Sequence, residues 1–285
     1  MAVQLPKSLV PLKPLKPFMP LVPLVPDWPA PANVRALCTT RAGGVSTGPC
    51  ASLNLGEHVG DAPDAVTENR SRLRSVIGVR PVFLRQVHGT DVAALDADTS
   101  DVSGAIAADA CTTTGAGIAC TIMVADCMPV LFTDEAGERV AAAHAGWRGL
   151  AAGVLERTLG TFTKDVGPMG AGTQGDAHER GASKIIAWLG PCIGPKVFEV
   201  GSEVKAAFEA HAAGAASCFK PGAVPGKWLA DLPALARQRL RAMGVEAVYG
   251  NDGSDAWCTV SNSSQFFSYR REAGSGRFAA LIWKV

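Results

Sequence analysis

Thr121-Ile-Met-Val-Ala-Asp-Cys-Met-Pro-Val-Leu-Phe-Thr-Asp-Glu-Ala-Gly-Glu-Arg-Val-Ala-Ala-Ala-His-Ala-Gly-Trp-Arg-Gly149 decides how the chain is read. Its centre reads as a β-hairpin. Pro129 to Thr133 and Glu138 to Ala143 are apolar, β-prone arms, and Asp134-Glu-Ala-Gly137 forms a four-residue loop between them. If Thr133 pairs with Glu138, the same register sets Cys127 opposite His144, with Cβ atoms roughly 5 Å apart. Pro129 is expected to interrupt the ladder between them. A thiolate and an imidazole held this close make either a metal site or a nucleophile–base pair.

Composition narrows the surroundings of that pair. Of 285 residues, 47% are hydrophobic, enough for a substantial core. Charged residues make up 19%, below the value of about 25% typical of soluble proteins, which points to a compact enzyme-like body. The net charge is +1, from 27 basic and 26 acidic residues. That balance gives no electrostatic case for nucleic acid or an anionic membrane as principal partner. The eight cysteines form no CxxC pair, and several lie in apolar runs. They read as reduced thiols of a cytoplasmic protein. The longest apolar runs fall short of a membrane span.

The first 32 residues read as a proline-rich, disordered tail. Pro11, Pro14, Pro17, Pro20, Pro23, Pro26 and Pro29 recur every third residue, the period of polyproline II. Such breaks leave no uninterrupted apolar core for a signal peptide. The tail is either an extension without function or a ligand for a partner with a proline-binding groove. A single domain is expected over 33–285. It holds strands near 34–40, 82–87, 92–95, 105–111, 117–124, 185–189, 245–249 and 278–283. Helices are expected from an Asp64 cap to Ile77, from Leu150 to Thr161, after a Ser202 cap, and from an Asp231 cap to Met243. Residues 165–183 read as a flexible, glycine-rich loop. Many strands and few helices, without βαβ alternation, place the fold in the α+β class.

His88, Cys127 and His144 each sit beside a turn at a strand end. Two imidazoles and one thiolate suit zinc, and three protein ligands leave a fourth position open, as in catalytic sites. The ligand spacings of 39 and 17 residues match no short zinc motif. Asp126, Asp91 and Asp109 are candidates to orient the histidines or to act as bases. Two other readings stay open on the residues alone: a metal-free Cys127–His144 dyad, and a buried Cys127 with no chemistry. Arg148 and the helix start beyond it offer positive potential to an anion near His144.

Several motifs together resemble the YfiH-like family. They are Thr39-Thr-Arg-Ala-Gly-Gly44, Ser52-Leu-Asn-Leu-Gly56, Gln86-Val-His-Gly89, Ala108-Asp-Ala110, Ala125-Asp-Cys-Met-Pro-Val130, Ala142-Ala-His-Ala-Gly-Trp-Arg-Gly149, Gly190-Pro-Cys-Ile-Gly-Pro195, Phe198-Glu-Val-Gly201 and Phe267-Ser-Tyr-Arg-Arg271. Members have been called laccase-like multicopper polyphenol oxidoreductases and, later, zinc-dependent purine nucleoside phosphorylases. The resemblance covers about residues 34–285. It implies a single-domain α/β/β/α sandwich of mixed β-sheets, with one zinc held by His88, Cys127 and His144. It also implies phosphorolysis of adenosine, inosine, guanosine and methylthioadenosine, with adenosine deaminase activity beside it. On that resemblance Asp126 and Arg148 are expected to be catalytic, and Arg41 and Asn54 to bind the purine nucleoside or phosphate. A proposed role in peptidoglycan editing also attaches to the family, and a Cys-dependent hydrolase or amidase would fit it. The laccase description fits less well: multicopper oxidation needs several histidine-rich sites, and the chain has five histidines.

Overall fold

The computed structural model describes residues 20–162 and 184–285. The start of the proline-rich tail and the glycine-rich loop at 165–183 lie outside those residues. In chain order, β1 Val34–Cys38, α1 Pro63–Ile77, β2 Arg80–Phe83, β3 Val92–Ala94, β4 Ala110–Thr113, β5 Ile118–Val124, β6 Met128–Asp134 and β7 Val140–Ala145 form the first half. Then come α2 Trp147–Ala152, α3 Val154–Leu159, β8 Ile185–Leu189, β9 Glu199–Gly201, α4 Ser202–Glu209, β10 Phe219–Pro221, β11 Lys227–Ala230, α5 Leu232–Ala242, β12 Ala247–Gly250 and β13 Phe278–Lys284.

Two mixed sheets face each other. One has the order β1-β13-β5-β2 and the other β12-β8-β6-β7-β4-β3. Strand alternation explains the layering. Along β5, Ile118, Cys120, Ile122 and Val124 enter the layer between the sheets, while Ala119 and Met123 face α1 with its Leu73 and Ile77. Along β7, Val140 and Ala142 join the inner layer, whereas Ala141, Ala143 and Ala145 pack beneath the other helices with Leu155, Leu235 and Phe208. The result is the expected α+β sandwich, helix on sheet on sheet on helix. A small antiparallel sheet, β10-β11-β9, adjoins α4.

Several local expectations change. The hairpin is wider at its tip: Thr133 pairs with Val140, and Pro129, not Cys127, stands opposite His144. The Asp134 carboxylate causes the shift. It accepts the N–H groups of Glu138 and Arg139 at 2.8 and 2.9 Å, so both residues remain in the loop. Cys127 therefore precedes β6 in a turn. Asp64 does not cap α1; Ala62 is the N-cap, with Pro63 in the first turn. Ser202 likewise opens α4 behind Gly201, whereas Asp231 caps α5 by accepting the Ala234 N–H. The helix expected from Leu150 starts earlier, at Trp147, and is divided at Gly153, whose φ of 100° breaks the helical path.

The described part of the expected tail, from residue 20 on, is packed: Leu24 exchanges two 2.8 Å backbone hydrogen bonds with Cys38, and Leu21, Leu24 and Trp28 pack against the cores. Polyproline spacing puts Leu21 and Leu24 on one edge of the arm, which is what lets both bury.

Phe132 is fully buried on the helix-facing side of central strand β6. Phe132→Ala is expected to cost about 3–5 kcal/mol, measured by urea denaturation; a cost under about 1 kcal/mol would contradict this packing.

Candidate metal centre

The site is gathered by one carboxylate. Asp109 lies immediately before β4 and is fully buried. Its side chain accepts the backbone N–H groups of Val87, His88 and Gly89 at 3.0, 2.9 and 2.7 Å. It also lies 2.8 Å from His144 Nδ1. The β4–β7 pairing fixes both partners, because Ala110 faces Ala143 and the His144 N–H donates to the Asp109 carbonyl at 2.7 Å. Burial pushes the Asp109 carboxyl up, but the hydrogen bonds from His144, Gly89 and Val87 outweigh it and hold the group below its ordinary value. With Nδ1 donating to Asp109, Nε2 of His144 is left for a ligand.

His88 sits at the turn that Asp109 holds, with φ 61°. Cys127 follows Asp126, whose φ is 92°. Both are left-handed conformations in residues other than glycine, and such strain concentrates at functional sites. The donor atoms of His88, Cys127 and His144 lie within 4.8 Å of one another, the one cluster of this kind among the described residues. Cys127 Sγ is 3.8 Å from His88 Nε2. The glycines of the His-Ala-Gly-Trp-Arg-Gly motif make room. A Cβ on Gly146 would fall 2.8 Å from Cys127 Sγ and 3.1 Å from His88 Cδ2, and one on Gly149 would fall 2.9 Å from the Gly89 carbonyl.

Burial alone would raise the Cys127 thiol, yet the imidazoles of His144 and His88 bring it down to about 6. Burial likewise depresses His144, and the Cys127 thiolate and Asp109 outweigh it, raising the imidazole to about 9. Without metal the pair is thiolate and imidazolium. A bound cation would replace the proton on His144 and keep the thiolate. Two imidazoles, one of them oriented by a carboxylate, a thiolate and a glycine-cleared approach fit a three-ligand metal site.

A cavity of about 630 Å³ opens over the cluster. Of the expected residues, Asp126 and Arg148 line it with the three ligands. Arg148 is exposed, and its guanidinium lies 4.5 Å from the Trp147 ring. Both carboxylate oxygens of Asp126 are taken up, by Thr259 Oγ1 and by the Arg270 N–H, each at 2.6 Å.

Arg41 and Asn54 are not among the lining residues. The Arg41 guanidinium holds the Ala51 and Ser263 carbonyls and lies over Phe267. The buried Asn54 amide bonds Gly56, Asp61 and the Arg277 N–H. These two residues brace loops instead of facing the cavity. Asp91 contributes its backbone carbonyl to the Asp109 and Ala110 N–H groups.

The cavity also has residues the sequence reading passed over: His58, Arg85, Phe198, Tyr269, Arg270 and Arg277. Tyr269 and Arg270 stand in the Phe-Ser-Tyr-Arg-Arg motif, which was the available signal. Four arginines, Arg85, Arg148, Arg270 and Arg277, are among the residues lining the cavity, against one acidic residue, Asp126.

A family model described as "Multi-copper polyphenol oxidoreductase laccase" matches residues 35–285. The chain belongs to this family. It is 53% identical over 257 residues to a purine nucleoside phosphorylase of Pseudomonas aeruginosa, covering 90% of this chain and 96% of that one. It is 47% identical over 260 residues to purine nucleoside phosphorylase YfiH of Escherichia coli, covering 90% and 97%. Among solved structures, Neisseria meningitidis protein NMB0706 superposes with a TM-score of 0.79 at 46% identity, covering 92% of this chain and 98% of that one. No helix among the described residues is long and apolar enough to cross a membrane.

Seven of the eight cysteines are buried, and Cys127 is the more accessible one. In metal-free protein, iodoacetamide is therefore expected to label Cys127 first. Its rate should fall as the pH drops through about 6, and added metal should protect it. Peptide mapping reads this out; labelling that falls away already near pH 8.5–9 would contradict the thiolate pair.

Proposed function

We propose that the chain is a zinc-dependent purine nucleoside phosphorylase, acting on adenosine, inosine, guanosine or methylthioadenosine, with adenosine deaminase activity at the same site. The observation that carries this reading is the juxtaposition of the His88–Cys127–His144 cluster with a cavity lined by four arginines. Relatives at 53% and 47% identity carry the name purine nucleoside phosphorylase. The donor set is the basis for choosing zinc over the copper of the family description: a single three-ligand cluster among the described residues falls short of the several clustered metals that multicopper oxidation requires. When bound, zinc supplies a Lewis acid that polarises a substrate oxygen.

The protein's own residues do the rest. Phosphorolysis brings a phosphate dianion to the sugar carbon that bears the base, so the cavity must hold negative charge in place. Arg277 and Arg270 are set by their own loops: Arg277 donates to the Ser275 and Gly276 carbonyls, and Arg270 to those of Val197 and Glu199. Anchored guanidiniums need little reorganisation as charge shifts, the condition under which electrostatic stabilisation is strongest. Arg148 and Arg85, both exposed, draw the anion inward. Phe198, Tyr269 and Trp147 provide aromatic surface for a purine ring. Desolvation by its neighbours and the charges of Arg277 and Arg70 hold the His58 imidazole below its ordinary value. It is thus neutral at pH 7 and suited to hydrogen-bond the base or to handle a proton.

A second reading draws on one specific observation. Asp109, His144 and Cys127 form an acid–imidazole–thiol line with a lowered thiol, as a Cys-dependent hydrolase or amidase of a peptidoglycan precursor would require.

Turnover with and without metal separates the two. Wild-type protein is expected to release hypoxanthine from inosine only when phosphate is present. Cys127→Ala should lose metal and at least about a thousandfold of kcat/KM. Full activity in metal-free protein, or hydrolysis indifferent to phosphate, would overturn the phosphorylase reading.

A further inference from the structure

Asp126 is the one carboxylate on the cavity wall, which invites a role in proton transfer. Its contacts argue otherwise. Oδ1 accepts the Thr259 hydroxyl and Oδ2 accepts the Arg270 backbone N–H, both at 2.6 Å. The Asp126 carbonyl accepts the Ile193 N–H at 2.9 Å. Thr259 is itself fully buried, and its N–H donates to the Cys192 carbonyl at 2.9 Å. Three segments far from it in sequence, around Ile193, Thr259 and Arg270, thus converge on the residue before Cys127. That residue holds a left-handed backbone with φ 92°, a conformation that persists in a residue other than glycine when its surroundings over-determine it.

We infer that Asp126 is a positioning residue: its carboxylate staples the Thr259 and Arg270 segments to the strained turn that presents Cys127 to the metal cluster. The staple joins two halves of the site. On one side stands the thiolate ligand. On the other stand Tyr269 and Arg270, which line the substrate cavity, with Arg270 reaching on to the Val197 and Glu199 carbonyls. Asp109 does the same for His88, using backbone N–H groups at the other left-handed turn. Two carboxylates therefore hold two strained turns, and neither needs to exchange a proton to do so.

The test uses the full chain and three single variants, Asp126→Asn, Asp126→Ala and Thr259→Val, with the Asp126→Ala/Thr259→Val double. Zinc affinity is measured by chelator competition, and inosine phosphorolysis gives kcat and KM. The inference rests on the metal-site part of the proposed function. Hydrogen exchange of the segments around 193, 259 and 270 therefore supplies a readout that requires no metal.

Zinc affinity is expected to fall about 10- to 100-fold in Asp126→Ala, the range seen when residues that orient metal ligands are removed. Asp126→Asn keeps one acceptor oxygen and should lose less. Thr259→Val should weaken zinc in the same direction, and the double variant should be no worse than Asp126→Ala, because both changes cut one staple. Exchange should quicken in the segments around 259 and 270 of Asp126→Asn, which the carboxylate holds. Unchanged exchange and zinc affinity would overturn the inference. So would equal losses of kcat of about 100-fold or more in Asn and Ala variants with Thr259→Val silent, the pattern of a proton-transfer group. Should wild-type protein bind no zinc, the proposed function fails, while the exchange data still decide whether the staple exists. Thr259→Val removes only a hydroxyl, so it keeps the test intact if Asp126→Ala does not fold.

Discussion

The site depends on the Asp109 carboxylate. A buried carboxylate is costly unless its oxygens are hydrogen-bonded. Here three successive backbone N–H groups and one imidazole satisfy it. The same four bonds fix where His88 and His144 can be. Asp109 in turn is immobilised because β4 is paired with β7 on one side and β3 on the other. The sheet thus determines the carboxylate, and the carboxylate determines the ligands. This order explains how an exposed histidine in a loop can meet a buried histidine on a strand without a short sequence motif linking them.

The inner layer of the sandwich contributes to function as well. His144 has the same parity along β7 as Val140 and Ala142, so it emerges between the two sheets. The cavity opens there, and residues from both sheets and from the long C-terminal connection reach it. Positive charge in excess over carboxylates makes the wall suited to an anion. The Cys127 thiolate beneath it, with His144 giving up its proton, suits a cation. A site that can hold an anion beside a metal is what phosphorolysis calls for, and the aromatic surface of Phe198 and Tyr269 leaves room for a base.

Much of this was legible in the sequence where the signal was local. The hairpin arms, the α5 cap at Asp231 and the terminal strand follow from alternation and capping residues. His88, Cys127 and His144 were legible as a candidate cluster because each stands beside a turn at a strand end, where two imidazoles and a thiolate can converge. The register slipped by two because the Asp134 side chain, not the turn sequence alone, sets the loop length. The settings of Arg41 and Asn54 were not legible, because a sequence does not show that a guanidinium holds the distant Ser263 carbonyl or that an amide accepts the distant Arg277 N–H. Arg277 and His58 escaped notice for the complementary reason. They reach the cavity from positions 219 residues apart, 58 and 277, and only the folded sheet brings them together.

The proposed function requires that one metal be held by two imidazoles and one thiolate. X-ray absorption spectroscopy on the purified protein, with metal counted per chain, tests it most directly. One zinc is expected, with one sulfur at about 2.3 Å and two imidazole nitrogens at about 2.0–2.1 Å. Several copper ions per chain, or a metal shell without sulfur, would contradict it.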